Sequence, residues 1–556
     1  MISGYDNLLT IIALTGILGY SFYIVLKAGQ LSLGQAGFAA LGAYFSTLVV
    51  PEEPLFGALS PALIGIPVGA LVGAAAAFLL GLPVLRLRGV FLAISTIAFT
   101  EVVRILILNA EWTGGPKGMR LEKWVTVDLA WMALALLAYA LWRFGRTRTG
   151  RAFDAVREDE TAASAMGINV ARTRMISFVM SGAVAGTYGT LYAYFVRRLI
   201  PADFGFSMML DGLVTAIVGG IAVFLGPILA SLLLTPLPDV QSAMGIEAGW
   251  IPAFVSAAIL LLIILFLPGG LSSLLAKLRP RRTPPSGEAT PDLPDLPEKG
   301  TVLVDLKGVS KHYGGVKAVD GVDLRLEAGE VRGIVGPNGA GKTTLVNMVS
   351  GQIAPTAGTG TVAGVDLSGS AAPHKVARAG VARTFQHSRL FERLSVLDNA
   401  LSGTHKFAPS TFWRRLVWLP SARADERRLA AQAMAQLKRV GLEEKASLDA
   451  AQLSYGDQRR LEIARALASH PSVLILDEPA AGMNPSEVVE LGRLIRSIAD
   501  EGVGVILIEH RMSMVAEVSD QVTVLDFGKC IADGDPEEVL SDANVVEAYM
   551  GSAADE

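Results

Sequence analysis

The first half of the chain is a series of long apolar stretches separated by short polar ones. A helix needs roughly 20 apolar residues to cross the hydrocarbon core of a bilayer, which is about 30 Å thick. Stretches of this kind predict eight helical segments, at residues 8–26, 31–50, 60–82, 89–109, 125–142, 174–196, 207–235 and 250–268. The pattern predicts an all-α, polytopic region embedded in a lipid bilayer.

Basic residues between these segments predict the orientation of the region. They gather at Lys27, at Arg86 and Arg88, and within residues 143–157 and 279–282. Because positive charge collects on the cytoplasmic side of a membrane, we expect these positions inside and the N-terminus outside. Since the first residues carry no basic start and no small-residue cleavage site, we expect the first apolar stretch to be retained.

One segment should fail to cross, because a start outside and an end inside require an odd number of crossings. The best candidate is 207–235, which is interrupted at Gly219-Gly220 and at Gly226-Pro227. Broken backbone inside a membrane is tolerated where it is buried in protein or lines a cavity, so we expect this segment to line one. A kinked helix packed through its glycines is the alternative.

A charged stretch, residues 151–169, lies between the fifth and sixth segments. It predicts a short helix with a basic start, followed by Glu160-Ala-Ala and then Gly167. One interpretation is a handle that docks on a partner domain. The other is a solvated helix at the membrane surface.

The second half of the chain is rich in charge and differs in class. A stretch with six prolines separates the halves and favours an extended spacer, because proline interrupts helices. We therefore expect a membrane domain at 1–276, a linker at 277–300 and a soluble α/β domain at 301–556. The net charge of −4 gives no basic field for nucleic acid, and the single cysteine, Cys530, excludes an intrachain disulfide.

A phosphate-binding loop follows the predicted strand 330–335. Glycines in such a loop let backbone N–H groups approach phosphates at the start of a helix, Lys342 reaches the outer phosphates, and the Thr343 hydroxyl can bind Mg²⁺. The loop consists of Gly336, Pro337, Asn338, Gly339, Ala340, Gly341, Lys342, Thr343 and Thr344. This motif predicts a P-loop domain that binds ATP with Mg²⁺.

Two adjacent carboxylates, Asp477 and Glu478, follow the apolar stretch 473–476. Four apolar residues in a row are typical of a parallel strand buried on both faces, and ligands bind at the carboxyl ends of such strands. We expect Asp477 to hold Mg²⁺, and Glu478 to act as general base on the attacking water.

Leu453-Ser454-Tyr455-Gly456-Asp457-Gln458 precedes a helical stretch and lies between the two motifs above. It resembles the signature of ATP-binding cassette (ABC) ATPases, in which Ser454 and Gly456 would bind the ATP held by an opposite subunit. The resemblance implies a dimer of ATPase domains. It further implies that Tyr313 stacks on adenine, that Gln386 senses Mg²⁺ and the water, and that His510 contacts the γ-phosphate.

Longer strings narrow the resemblance. Residues 457–465, 477–485 and 508–510 resemble the G-type ATPase of branched-chain amino acid importers, while 29–35, 85–89 and 113–116 are similar to the M-type permease of those systems. Tyr455 and Asp457 depart from the commoner signature, and Asn484 stands where many cassettes have aspartate.

The resemblance implies ATP-driven import of branched-chain amino acids, or of related small amides, across a bacterial-type inner or plasma membrane, with the ATPase domain in the cytoplasm. It implies second permease and ATPase subunits, either another copy or different chains, and an extracytoplasmic substrate-binding protein. An exporter half-transporter is the alternative. A cassette protein acting on ribosomes or DNA would lack the membrane half.

Overall fold

The computed structural model describes residues 2–50, 60–245, 250–276, 293–369, 372–407 and 420–552. The chain divides into two compact units. The helical unit contains Met1–Arg157 and Val170–Pro280, and the sheet unit contains Glu158–Asn169 and Arg281–Glu556. Residues 277–292 of the predicted linker lie outside the described residues.

The helical unit follows the apolar pattern of the sequence only in part, because the eight predicted segments yield four described helices of membrane-spanning length and composition. Its longer helices are α1 Ile2–Lys27, α2 Gln35–Thr47, α3 Ala62–Val84, α4 Val90–Asn109, α5 Val127–Gly145, α6 Arg148–Glu158, then, after α7 of the sheet unit, α8 Val170–Val196, α9 Phe206–Gly219, α10 Gly226–Leu234, α11 Leu237–Ala243, α12 Ile251–Phe266 and α13 Ser272–Ala276. By length and composition, four described helices can span a membrane, namely Tyr5–Lys27, Ala62–Val84, Val90–Asn109 and Val127–Gly145.

Helix α8 is the centre of this unit and packs against α1, α2 and α3. The approach is close because glycines face each other: a Cβ added at Gly182 would collide with the Gly73 carbonyl, and one added at Gly186 with the Gly69 carbonyl. Small residues at helix–helix contacts allow the van der Waals packing that holds helices together in lipid. The glycine spacing of α3 therefore has a structural use.

The predicted interruption of the segment 207–235 is confirmed. Helix α9 ends at Gly219 and α10 begins at Gly226. A Cβ on Gly219 would collide with the Gly226 backbone, and the Tyr20 hydroxyl of α1 donates to the Phe224 carbonyl in the connection. The break is thus packed against protein, as backbone outside regular structure requires in a membrane.

Short strands and turns connect the helices near the C-terminal end of α8. Strand β1 Met119–Arg120 pairs antiparallel with β2 Arg198–Leu199, and three 3₁₀ turns lie at Glu111–Thr113, Gly115–Lys117 and Pro201–Phe204.

The sheet unit contains two sheets. A four-stranded antiparallel sheet has the order β4-β3-β6-β7, and a six-stranded sheet has the order β12-β11-β5-β10-β9-β8. The strands are β3 Val302–Tyr313, β4 Val316–Glu327, β5 Val331–Val335, β6 Ala357–Val362, β7 Val365–Asp366, β8 Val381–Arg383, β9 Val473–Asp477, β10 Gly504–Ile508, β11 Gln521–Asp526 and β12 Lys529–Gly534.

Helices surround these sheets. They are α7 Glu160–Ala165, α14 Lys342–Val349, α15 Pro373–Ala379, α16 Val396–Gly403, α17 Pro420–Arg439, α18 Tyr455–Ala468, α19 Pro485–Asp500, α20 Met512–Val518, α21 Pro536–Leu540 and α22 Ala543–Ser552, with 3₁₀ turns at Thr404–Phe407, Glu443–Lys445 and Ala450–Gln452.

The parallel pairing of β5, β10 and β9 determines where the candidate site lies. Strand β10 lies between β5 and β9 and is parallel to both, and all three strands are buried along their length. The carboxyl ends of parallel strands meet at one edge of a sheet. The segments that follow β5, β9 and β10 therefore converge there.

Candidate functional site

The phosphate-binding loop connects β5 to α14, the strand-to-helix setting that the sequence predicts. Gly336 and Gly341 have positive φ angles, and a Cβ on either would collide with a backbone carbonyl. The Lys342 Nζ is buried inside the loop and donates to the carbonyls of Gly336, at 2.7 Å, and Pro337, at 2.9 Å. Burial lowers the pKa of Lys342, and the Glu478 and Asp477 charges oppose that shift.

Three residues predicted to act in catalysis meet at one carboxylate. Glu478 Oε1 lies 3.1 Å from Gln386 Nε2 and 3.0 Å from His510 Nε2. Glu478 itself has a φ of +49°, an unusual conformation for a residue with a side chain. Strained backbone of this kind is concentrated at functional sites.

Asp477 ends β9 and is buried. Its Oδ2 accepts from Arg383 Nη2 at 2.9 Å, and Arg383 also donates to Asn347 Oδ1 at 2.6 Å. Pairing between β8 and β9 brings the two charges together, so sequence reasoning, without the sheet order, did not connect Arg383 with Asp477. The exposed Thr343 follows Lys342 in the same loop.

The donor set fits a magnesium nucleotide better than a bare metal ion. Among the described residues, no group of three or more His, Cys, Asp or Glu could hold a metal. Mg²⁺ is usually bound by one or two carboxylates together with phosphate oxygens and waters. Asp477, Thr343 and Gln386 offer a carboxylate, a hydroxyl and an amide of that kind.

Glu509 is a further member of the site that sequence reasoning missed. It is buried, and its two carboxylate oxygens accept from the backbone N–H groups of Ala480, at 2.7 Å, and His510, at 3.2 Å. Burial raises the pKa of Glu509, and the backbone donors oppose this. Glu509 thus fixes the loop after Glu478 relative to His510.

The signature residues lie apart from this cluster. Ser454 caps α18, with its hydroxyl accepting from the Asp457 N–H at 3.2 Å, and Ser454 is exposed. Burial alone would raise the pKa of Asp457, but hydrogen bonds from Lys445 and Ser454 hold it below its usual value. No hydrogen bond within the described residues joins Ser454 or Gly456 to the phosphate-binding loop of the same chain.

Tyr313 and Asn484 are two further positions that the sequence singles out. Tyr313 is 52% exposed at the end of β3, with Lys311 Nζ 5.5 Å from the centre of its ring. Asn484 caps α19 by accepting from the Glu487 N–H at 2.9 Å. The site does not bring Tyr313 into contact with the Glu478 cluster.

The charged stretch after α6 packs within the sheet unit. Asp159 Oδ2 pairs with Arg389 Nη1 at 2.7 Å, the Gly167 carbonyl accepts from Arg378 Nε at 3.0 Å, and Asn169 Nδ2 lies 3.1 Å from His374 Nε2. Asp159 also caps α7 through the Ala162 N–H. Of the predicted stretch 151–169, residues 158–169 therefore lie in the sheet unit, as the docking interpretation expects, whereas residues 151–157 belong to the helical unit.

A buried hydrogen-bond network starts at Arg389. Its backbone N–H donates to Glu462 Oε1 at 2.9 Å, and Glu462 Oε2 pairs with Arg459 Nη1 at 2.9 Å. Arg459 donates to the Tyr455 hydroxyl at 2.8 Å and to the Gln386 carbonyl. The tyrosine that departs from the common signature is thus connected with the Gln386 backbone.

Family models match three parts of the chain. One described as the permease component of a branched-chain amino acid transport system matches residues 4–267. Another, described as ABC transporter, matches residues 319–481, and a third, described as branched-chain amino acid ATP-binding cassette transporter, matches residues 529–555.

Similar proteins match less than half of this chain. The high-affinity branched-chain amino acid transport ATP-binding protein BraF of Pseudomonas aeruginosa is 41% identical over 252 residues, 45% of this chain and 98% of BraF. LivG of Escherichia coli K12, with the same description, is 40% identical over 252 residues, 45% of this chain and 98% of LivG. The ADP conformation of MJ1267, an ATP-binding cassette of an ABC transporter, is 29% identical, with 45% of this chain and 99% of that chain covered and a TM-score of 0.40.

A membrane permease region and an ATP-hydrolysing cassette in one chain define the class, an ABC transporter protein. The predicted fold class is confirmed, as is the predicted ATPase. The chain belongs to the branched-chain amino acid family of ABC transporters. The resemblance drawn from the sequence strings is confirmed with it.

Proposed function

We propose that this chain is a fused permease and ATPase subunit that imports branched-chain amino acids, or related small amides, at the expense of ATP. The observation that carries the proposal is the packing of residues 158–169, which interrupt the permease sequence, in the cassette unit through Asp159, Gly167 and Asn169. A short docked helix of this kind transmits motion in importers. BraF and LivG, both branched-chain amino acid transport proteins by name, favour the substrate class.

In the proposed mechanism the loop 336–344 holds the ATP phosphates through its backbone N–H groups, and Lys342 neutralises part of their charge. Glu478 polarises the attacking water. Gln386 and His510 orient the Glu478 carboxylate through the two contacts described above, which restricts it to one direction of attack. Magnesium, held by Thr343, Asp477 and Gln386, would neutralise developing charge on the phosphates.

The exposed signature residues favour a two-cassette unit. Ser454 and Gly456 contribute to the ATP site of a second cassette, and Tyr313 stacks on adenine. The remaining partners are a second permease, from another copy or a different chain, and an extracytoplasmic substrate-binding protein. The proposed domains are a permease at 1–276, a linker at 277–300 and a cassette at 301–556, in a bacterial-type inner or plasma membrane, with the cassette in the cytoplasm.

The test is the ATPase rate of the full chain in lipid nanodiscs, with candidate binding proteins loaded with leucine, urea or a small amide. We expect one loaded binding protein to raise the rate severalfold, and its empty form to have a smaller effect. Full activity without any of them, raised instead by compounds on the cytoplasmic side, would favour the exporter alternative.

A further inference from the structure

A cavity lies at the C-terminal end of α8. Helix α8 has 27 residues, so its two ends are about 40 Å apart. Residues 143–174 carry seven arginines at its first end, against three basic residues at 117–123 and two at 197–198 beside the other end, so by the positive-inside rule we expect the first end to be cytoplasmic. The cavity at the other end is about 430 Å³ in volume and is lined by Pro116, Tyr192, Val196, Arg198, Ile200 and Asp203. We therefore expect it to face the outer side of the membrane.

The walls of the cavity are held by backbone. Strand β1 pairs with β2, and a Cβ on Gly118 would collide with the Leu199 carbonyl. Arg198 Nε and Nη2 donate to the Lys117 carbonyl at 3.1 and 2.9 Å. Pro116, the last residue of the string 113–116 that resembles the permease family, lines the cavity beside this wall.

The lining carries both signs of charge beside an apolar wall. Arg198 is exposed and Asp203 is half-buried, with Asp203 Oδ2 accepting only a long hydrogen bond, 3.4 Å, from the Ile200 N–H. Among the ion pairs of the described residues, none joins Arg198 to Asp203. Pro116, Val196 and Ile200 supply apolar surface between them. An α-amino acid presents the complementary groups, an ammonium, a carboxylate and an apolar side chain.

A second carboxylate continues this surface into the membrane region. Asp211 lies on α9, the fourteen-residue helix before the Gly219 break, and is exposed. Helix α9 packs against the turn Pro201–Phe204 that carries Asp203, so the two carboxylates lie in one part of the helical unit. A charged side chain facing lipid is costly, and intramembrane carboxylates usually face protein or water. We therefore expect this face of α9 to meet protein or water.

We propose that the cavity is a binding site for a zwitterionic α-amino acid on its way through the permease, with Asp203 binding the ammonium, Arg198 the carboxylate, and Asp211 the next polar position inward. The proposal rests on the proposed import of amino acids and names the residues that would select them. The apolar wall accommodates a branched aliphatic side chain.

Cysteine labelling tests the accessible face. Cys530 is the single native cysteine, and its replacement by serine gives a background in which Asp211→Cys is compared with Met132→Cys. Met132 is 59% exposed and, like Asp211, is the sixth residue of its helix. We expect a membrane-impermeant thiol reagent to modify Asp211→Cys at least tenfold faster in nanodiscs. Equal rates would overturn the assignment of the α9 face.

Protection of the introduced cysteine from labelling tests which ligand binds in the cavity. We expect leucine to slow the labelling of Asp211→Cys severalfold, whereas leucinamide, which lacks the carboxylate, and 4-methylpentanoate, which lacks the ammonium, should not. Adding Asp203→Asn should remove the protection, Asp203→Glu should retain part of it, and Glu122→Gln, an exposed residue outside the lining, should leave it unchanged. Protection by urea instead of leucine, or by none of them, would overturn the zwitterion site.

Uptake of labelled leucine by cells separates this site from the proposed function. If the wild-type chain supports uptake and Asp203→Asn or Arg198→Gln raises KM at least tenfold, the site is supported. Wild-type KM in both variants would overturn the site and leave the import function standing. Protection by leucine without any wild-type uptake would support the site and contradict the import function.

Discussion

At the scale of single residues, the Glu478 carboxylate is held by two side chains from different segments. Gln386 follows β8 and His510 follows β10, and both contact the same oxygen, Oε1. Glu478 itself directly follows β9 and has a positive φ. If Glu478 acts as the proposed base, being held from two sides would cost it little orientational freedom on reaching its water, which is how positioning contributes to rate.

Replacing Glu478 by glutamine should lower the ATPase rate by roughly 10²–10⁴-fold, the usual contribution of a general base. ATP binding should persist, because Lys342 and the loop glycines are unchanged. Steady-state hydrolysis and nucleotide binding by the full chain measure the two effects. Glu490→Gln, on the exposed side of α19, serves as control, and wild-type turnover in Glu478→Gln would contradict the base assignment.

Replacing Arg383 by methionine should destabilise the cassette by about 3–5 kcal/mol, because it leaves Asp477 buried without its partner. A fall in the thermal unfolding midpoint on the order of 10 °C follows for a domain of this size. Arg325→Met removes an exposed ion pair with Glu327 and should cost about 1 kcal/mol or less. Equal midpoints for the two variants would show that Arg383 is not needed to compensate Asp477.

Sequence could predict residues that belong to local motifs. Lys342, Asp477 and Glu478 are found by spacing and by the strand that precedes them. Arg383 and Glu509 could not be assigned partners, because their contacts depend on which strands are neighbours in the sheet, β8 with β9 and β10 with β9. The contact between Glu478 and His510 follows from the same pairing.

At the scale of elements, α7 depends on Asp159 in two ways. One carboxylate oxygen caps the helix through the Ala162 N–H, and the other pairs with Arg389. Asparagine caps helices about as well as aspartate, so Asp159→Asn removes the ion pair and retains the cap. Asp159→Ala removes both and should cost about 1 kcal/mol more.

A double-mutant cycle with Asp159→Asn and Arg389→Gln isolates this pair. The side chains are 23% and 40% exposed, so the coupling free energy should be about 0.2–1 kcal/mol. The readout is the ratio of stimulated to basal ATPase rate with a loaded binding protein. We expect each single change to lower this ratio. The double change should lower it by less than the sum of the two single effects. Strict additivity would show that the pair does not transmit the stimulation.

The elements themselves were predictable where periodicity or length is distinctive. The apolar stretches predicted the helical segments, and glycine pairs predicted the break between α9 and α10. Strands β3 and β4 are each twelve residues long. Their polar halves, such as Ser310 to Tyr313, form ladder bonds through backbone, which side-chain pattern does not reveal.

At the scale of the whole molecule, the change in charge density along the chain predicted two halves of different class. Charge density alone does not place residues 158–169, which interrupt one half in sequence, in the other unit; the docking interpretation came instead from the short charged stretch with Glu160 and Gly167. At its far end, the predicted linker meets the cassette: the Pro294 carbonyl lies 2.9 Å from His470 Nε2, and Leu296 packs on the cassette core. These contacts join residues distant in sequence, which patterns along the chain cannot reveal.

The polar contacts of residues 158–169 are partly exposed and individually weak. The covalent linker should therefore increase the fraction of time for which the cassette stays docked on these residues. A flexible tether holds its ends at an effective concentration on the order of millimolar. Cutting at a protease site inserted after Pro285, in the linker, should make the stimulated ATPase rate fall on dilution, and more steeply in high salt, because the Asp159–Arg389 pair is screened. The uncut chain with the same site is the control. A cut cassette that stays bound after gel filtration in high salt would show that the docked segment needs no tether.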